Sequence, residues 1–187
     1  MNTKISNPAT FTLLGFGFGV AVLGIQQLLP SVTTLAGAAV YATLVAAIAE
    51  FIGGCWAFAR GDTYLGSIGT TFGAWLAGYY FLLTSGVGSG IYTPESAGLY
   101  CFGLIIPVVI MLLPALRLRL RVFTVVFISL ILLLLFLGLA GMPIGGTKVF
   151  QVLGGISALV GAAFLWYAAL GAVKEMISEM LAGPKSD

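Results

Sequence analysis

One carboxylate of this chain lies in the middle of a long apolar stretch. Glu50 falls within residues 36–58, well before the charged break that begins at Arg60. An ionised carboxylate in hydrocarbon is costly, so we expect this side chain to be protonated or to face water or a hydrogen-bond donor inside a helix bundle. Glu50 is therefore a candidate for moving a proton, and a structural hydrogen bond between helices is the alternative.

The other notable polar side chains in the apolar stretches are amides and hydroxyls. Gln26 lies in the first stretch, and Thr70 and Thr71 lie in the third. An amide can both donate and accept hydrogen bonds, whereas most threonine hydroxyls within a helix bond back to a carbonyl one turn earlier. These three residues are candidates for contact with a polar solute, and internal hydrogen bonding is the alternative.

The triplet Asn7, Pro8 and Ala9 precedes the first apolar stretch. Proline suits the first position of a helix, and an asparagine before it caps free N–H groups. Because a helix N-terminus carries partial positive charge, it favours anions. We interpret the triplet either as a cap alone or as a cap beside an anion path.

Residue types that support common catalytic and metal sites are scarce. The chain has no histidine, and its two cysteines, Cys55 and Cys101, fall within apolar stretches, where we expect them to act as small apolar packing residues. No nucleophile–base pair or metal-ligand cluster is apparent in the apolar stretches. We therefore expect no enzyme activity, no metal and no cofactor.

The low number of charges decides which solvent surrounds these groups. Of 187 residues only 7% are charged, against about 25% in a soluble domain. A bilayer core takes about 20 helical residues per crossing, and uninterrupted apolar runs do not show the alternation of a transmembrane β-strand. The sequence predicts an all-α membrane protein with one domain over residues 1–187 and six transmembrane helices, at about 10–29, 36–58, 64–84, 97–115, 120–140 and 149–173.

Small residues and leucines distinguish these six stretches. Glycine clusters in the first three stretches and the sixth, which predicts close contact between helices. The fifth contains an unbroken leucine run at 132–135, which favours a surface facing lipid or another subunit. We expect the sixth helix to continue beyond the membrane until Gly183-Pro184 ends it.

The basic residues predict the orientation. The two termini and every second loop hold seven of the eight lysines and arginines, and the remaining loops hold only Lys148. By the positive-inside rule, both termini are expected in the cytoplasm.

Three collinear stretches carry a family resemblance. They read NPATFTLLGFGFG at 7–19, AEFIGGCWAFARGDTYLGSIGTTFGAW at 49–75 and RVFTVVFISL at 121–130. Together they resemble the acetate uptake transporter family, of the succinate–acetate permease or YaaH type. The resemblance implies a six-helix protein of the plasma (inner) membrane that moves acetate and related small monocarboxylates, with succinate a further substrate. It also implies proton symport and a homohexamer of channel-like subunits.

Individual positions can be assigned through the same resemblance. It implies that Phe16, Phe72 and Leu130 form a narrow apolar constriction, and that 61–63 correspond to the family's Gly-Asn-Thr turn. Phe72 stands where the family has tyrosine, and Glu50 stands where it has glutamine. These departures leave two alternatives open: a channel for small neutral solutes such as water, urea or ammonia, and a membrane sensor that transports nothing.

Overall fold

The computed structural model describes residues 6–181, and within that range the regular structure is entirely helical. Six long helices and one short helix follow each other along the chain. They are α1 (Ala9–Leu28), α2 (Leu35–Arg60), α3 (Thr63–Leu83), α4 (Ser85–Gly88), α5 (Pro94–Arg117), α6 (Arg121–Gly141) and α7 (Thr147–Leu181). The six long helices match the six predicted stretches closely at their starts, and only the one-turn α4 lay inside a predicted loop.

Local capping explains where α2 ends and where α3 and α5 begin. Gly61 has the left-handed backbone that closes α2, with φ of 89°, and the side chain of the next residue, Asp62, accepts a hydrogen bond from the N–H of Leu65 in α3. Thr93 and Ser96 form a reciprocal capping box at the start of α5. Gly61 and Asp62 make up the whole connection between α2 and α3, so these two helices must run antiparallel.

The six long helices form a ring in the order α1, α2, α3, α5, α6, α7. Each helix packs on both neighbours, although α3 and α5 meet far less closely than the others. Paired contacts along each interface show that all neighbours run antiparallel; for example, Gly19 lies against Ala46 while Thr12 lies against Gly53. Consequently α1, α3 and α6 run in one direction and alternate around the ring with α2, α5 and α7.

Small residues set the spacing between neighbouring helices. At the α2–α3 interface, Gly54 lies directly against the backbone of Gly69, so that a methyl group on either glycine would collide with main-chain atoms. In lipid, where no hydrophobic force drives helices together, such close packing supplies much of the association energy. The predicted role of the clustered glycines as contact residues is confirmed at these two positions.

Two tyrosine hydroxyls bridge α3 and α5, where the backbones are furthest apart. Tyr64 of α3 donates to the carbonyl of Met111 at 2.7 Å, and Tyr100 of α5 donates to the carbonyl of Trp75 at 2.7 Å. We call this pair of hydrogen bonds the tyrosine clasp. Each bond links a side chain of one helix to the main chain of the other, so the ring is closed by long side chains rather than by close backbone contact.

Five of the long helices are long and apolar enough to cross a membrane, judged by length and composition: α1, α2, α5, α6 and α7. The sequence predicted that the fifth stretch, now α6, faces lipid or a neighbouring subunit. That expectation holds for Leu132, which is exposed, but it is wrong for Leu133 and for Phe127 and Leu130 earlier in the helix, which are buried. The more outward-facing helix is α5, with Ile106 and Ile110 largely exposed.

Two further expectations are corrected or extended. Cys101 is buried as predicted, but Cys55 is exposed on α2 and does not pack inside the subunit. The last helix, α7, continues to Leu181, which makes it about 50 Å long, well beyond a bilayer core of about 30 Å. The predicted stop at Gly183-Pro184 lies outside the described residues.

Candidate functional site

A small cavity lies at the centre of the ring. Its volume is about 70 Å³, on a measure by which one water needs about 10–15 Å³. Five helices contribute to its wall, with α7 the exception among the long helices. The lining residues are Phe16, Gly19, Val20, Leu23, Thr43, Ala46, Phe72, Trp75, Leu76, Tyr79, Tyr100, Cys101, Leu104, Leu130, Leu133, Leu134 and Leu137.

The three residues that were assigned to a constriction all line this cavity. Phe16, Phe72 and Leu130 are each buried, and they come from α1, α3 and α6, the three parallel helices of the ring. The ring centroids of Phe16 and Phe72 are 5.4 Å apart, within the range of favourable aromatic contact. Phe72 also contacts Trp75 edge-on, which holds its ring in place.

Polar groups in the cavity wall are few and uncharged. Among the described residues that line it, only Thr43, Trp75, Tyr79, Tyr100 and Cys101 carry a polar side-chain atom. The hydroxyls of Thr43 and Tyr100 already donate to the carbonyls of Ala39 and Trp75, respectively. The cavity therefore offers an entering solute an apolar wall with a few uncharged hydrogen-bonding groups, among them hydroxyl oxygens and the indole N–H of Trp75.

Glu50 is fully enclosed within the bundle but does not line the cavity. Its side chain is 2% exposed, and its Oε2 atom has no hydrogen-bond partner among the described residues. It lies two helical turns from Thr43, on the same face of α2, and its backbone carbonyl lies against the Gly69 position of α3. A buried carboxyl with an unpartnered oxygen is stable only in its neutral form, unless a cation or water reaches it.

The opening triplet lies at one end of the ring, away from the cavity. Asn7 Oδ1 accepts a hydrogen bond from the N–H of Ala9 at 3.0 Å, so the asparagine satisfies a free N–H as predicted, but the helix begins at Ala9 and Pro8 precedes it rather than occupying its first position. Pro8 is buried and its carbonyl accepts from both the N–H and the hydroxyl of Thr12. Ala9 lies seven residues before Phe16 on α1, or about 10 Å along the helix. The triplet and the constriction are thus separate features.

The remaining polar candidates also lie outside the cavity wall. Thr70 back-bonds to the carbonyl of Gly66, and Thr71 is the residue before Phe72 on α3. Gln26 lies toward the other end of α1, where its Oε1 accepts from Gln27 Nε2 at 2.9 Å. The structure therefore brings the three constriction candidates together but not the solute-binding candidates.

Comparison with known proteins shows which family this chain belongs to and which solved structure it resembles. The model of the GPR1/FUN34/yaaH family matches residues 1–183. The chain belongs to the GPR1/FUN34/yaaH family. A solved structure described as that of the bacterial acetate channel SatP matches with a TM-score of 0.80 and 22% identity, covering 98% of this chain and 99% of that one. No curated protein matches the chain. Membership of this family, together with the apolar helices, makes this a multi-pass membrane protein.

The cavity of this GPR1/FUN34/yaaH member contains lining residues that the sequence reasoning missed. On α3, Trp75, Leu76 and Tyr79 follow Phe72 at spacings of three, four and seven residues, and the same spacings follow Phe16 on α1 and Leu130 on α6. These spacings keep side chains on one face of a helix, so the stripes could have been extended from the three constriction residues. Tyr100 and Thr43 gave no such signal, because their place depends on the order of helices around the ring.

Proposed function

We propose that this protein transports acetate and related small monocarboxylates, with succinate a larger and poorer substrate, across the plasma or inner membrane. The observation that carries the proposal is the meeting of Phe16, Phe72 and Leu130 around a small cavity in a member of this family. The structurally similar protein described as an acetate channel supports the choice of substrate. The solute passes the constriction formed by these three side chains in each subunit.

The chemistry of the cavity supports a small and weakly hydrated solute. Its volume of about 70 Å³ accommodates a few waters or one short carboxylic acid. None of the described lining residues is cationic, so nothing in the wall offsets the charge of a carboxylate that has lost its water. The solute therefore crosses most readily with a proton, which is why we propose symport of acetate and proton.

Glu50 is the residue proposed to link transport to protons. It is the one carboxylate buried at this depth in the described bundle, and no described protein group is bonded to its Oε2. We propose that water from the cavity side reaches this oxygen during transport and exchanges a proton with it. When neutral, it does not oppose a carboxylate; when ionised, it repels one. The position of Glu50 beside the pathway, rather than in its wall, fits an electrostatic role better than direct ligation.

The membrane topology completes the proposal. We propose that α3 is the sixth crossing, because it has 21 residues and packs closely against the later part of α2, from Phe51 to Phe58. Six crossings and the bias of basic residues then place both termini in the cytoplasm. Outward apolar side chains on α2 and α5, such as Ile52 and Ile106, supply surface for lipid and for neighbouring subunits of a homohexamer.

The direct test is uptake of radiolabelled acetate into proteoliposomes that contain the purified protein. We expect uptake that exceeds protein-free vesicles and that increases when the inside is made alkaline. Uptake equal to that of protein-free vesicles, both with and without the pH gradient, would contradict transport. Protein-dependent uptake that is the same with and without the gradient would contradict only the proton coupling.

A second candidate function is a channel for small neutral solutes such as water, urea or ammonia. The uncharged wall of the cavity favours it, because such solutes need no counter-charge. Stopped-flow shrinkage of the same proteoliposomes in an osmotic gradient separates the two functions. A large increase in water or urea permeability without acetate uptake would favour this alternative.

A further inference from the structure

A groove on the outside of the ring differs from the central cavity in both shape and charge. It lies between the start of α6 and the later part of α7 and has a volume of about 410 Å³. Its lining includes Arg121, Tyr167, Leu170 and Lys174. We call it the α6–α7 groove. None of its lining residues lines the central cavity, so a ligand bound here would be separate from the transported solute.

The charge in this groove has one sign. Arg121 and Lys174 are exposed at its edge, and no acidic side chain lines it among the described residues. Arg117 at the end of α5 and Arg119 in the following loop are close in sequence and raise the positive potential further. By contrast, a second outer groove at the same end of the ring contains Arg60 together with Glu175, so its charges are mixed. The α6–α7 groove therefore selects for an anion.

The remaining wall of the groove is apolar and outward-facing. Tyr167 is 65% exposed and Leu170 is 60% exposed, both on the side of α7 that faces away from the ring. Arg121 is the first residue of α6, a helix apolar enough to cross the membrane, so the groove lies where the span meets water. A free anion would contact only the two cationic side chains. An anionic ligand with an acyl chain would contact both these cations and the apolar wall of the groove.

We propose that the α6–α7 groove binds an anionic phospholipid, with the phosphodiester held by Arg121 and Lys174 and the acyl chains along Tyr167 and Leu170. Basic pockets between helices at the membrane surface are a recurrent way to hold such headgroups. Tyrosine at this depth favours the headgroup region, because its ring is apolar and its hydroxyl is wet. The site is separate from the proposed transport function and does not depend on which solute crosses.

Thermal unfolding of the purified full-length protein in detergent tests the site. With added phosphatidylglycerol we expect the melting temperature to exceed that with equal phosphatidylcholine by about 5 °C, as saturating ligand stabilises a domain of this size. The double variant Arg121→Gln with Lys174→Gln should lose that difference. The matched control Arg60→Gln, which removes a cation at the same end of the ring, should keep it.

Three outcomes would overturn the proposal. The difference between the two lipids could persist unchanged in the double variant, or it could be absent in the wild type. Alternatively, inorganic phosphate could reproduce the whole effect, which would show that a free anion occupies the site rather than a lipid.

A second measurement on the wild type decides the question even if the double variant fails to fold. Phosphatidylglycerol that carries a photoreactive acyl chain is cross-linked in membranes, and the labelled peptides are mapped by mass spectrometry. We expect labels concentrated in residues 117–126 and 164–176. Labels spread evenly over all outward helix faces, or missing from these peptides because another subunit covers the groove, would overturn the assignment.

Discussion

The rings of Phe16 and Phe72 face each other across the centre of the bundle, with centroids 5.4 Å apart and planes inclined at 42°. The two residues belong to α1 and α3, which are not neighbours in the ring, since α2 lies between them. Their contact therefore spans the interior, and it narrows the cavity to which Leu130 contributes from the third parallel helix. On the proposed pathway, the solute passes between or beside these rings.

Replacing Phe72 with alanine should widen the constriction. We expect the ratio of succinate to acetate uptake to rise about tenfold, which corresponds to a barrier lower by about 1.4 kcal/mol for the larger solute. Leu130→Ala should act in the same direction, and Phe72→Tyr, which restores the family's hydroxyl, should be tolerated. Phe81→Ala is the matched control, because Phe81 lies on α3 but is 59% exposed. An unchanged ratio in both alanine variants would mean that these side chains do not form the gate.

Glu50→Gln should flatten the dependence of transport on pH. The variant keeps the shape of the side chain but removes the titrating proton, so a fall in uptake caused by ionisation of Glu50 should disappear. The measurement is initial acetate uptake against pH at a constant concentration of undissociated acetic acid. Glu95→Gln, an exposed glutamate at the start of α5, is the control. Superimposable profiles of the wild type and Glu50→Gln would leave Glu50 with a structural role only.

The proposed orientation can be read with cysteine labelling in intact cells. Ser89 and Arg119 are both exposed, and they lie at opposite ends of the ring. After the exposed Cys55 is replaced with alanine, we expect a membrane-impermeant maleimide to label Ser89→Cys from outside and to leave Arg119→Cys unlabelled. The reverse pattern would invert the topology.

Gly54→Ala should separate α2 from α3. The added methyl would lie within 3.0 Å of backbone atoms in Gly66, Gly69 and Thr70, and main chain cannot move aside as a flexible side chain can. We expect a loss of about 1–3 kcal/mol in the free energy of unfolding, measured as a lower midpoint of thermal unfolding in detergent. Gly103→Ala is the control, because Gly103 also lies inside a helix but has nothing within 4 Å of an added methyl. Equal effects of the two substitutions would point to helix propensity rather than to packing.

The helices themselves were predictable because each is a local property of the chain. An apolar run of the right length, bounded by Gly61-Asp62 or by the arginines from Arg117 to Arg121, predicts its own start and end. The contribution of α6 to the interior was not predictable in this way. A leucine run has the same sequence pattern whether its side chains face lipid or a cavity. Which side chains face inward depends on how α6 packs between α5 and α7.

Some features of the candidate site could likewise be predicted from the sequence and others could not. Phe16, Phe72 and Leu130 could be assigned through the family resemblance, and the stripes that follow them through helical spacing. The burial of Glu50 could be expected from its apolar surroundings, but its displacement from the cavity wall could not. That placement depends on how far α2 is rotated about its own axis, which is set by glycine contacts with α1 and α3 on either side.

The tyrosine clasp has a consequence for how mutations act on this protein. Both hydroxyls bind main-chain carbonyls, of Met111 and Trp75, which every residue type provides. Substitutions at positions 75 and 111 can therefore change the side chain without removing the acceptor, whereas loss of either tyrosine hydroxyl removes a bond outright. The two hydrogen bonds that join α3 to α5 thus tolerate substitution on the accepting side and depend on the donors, Tyr64 and Tyr100.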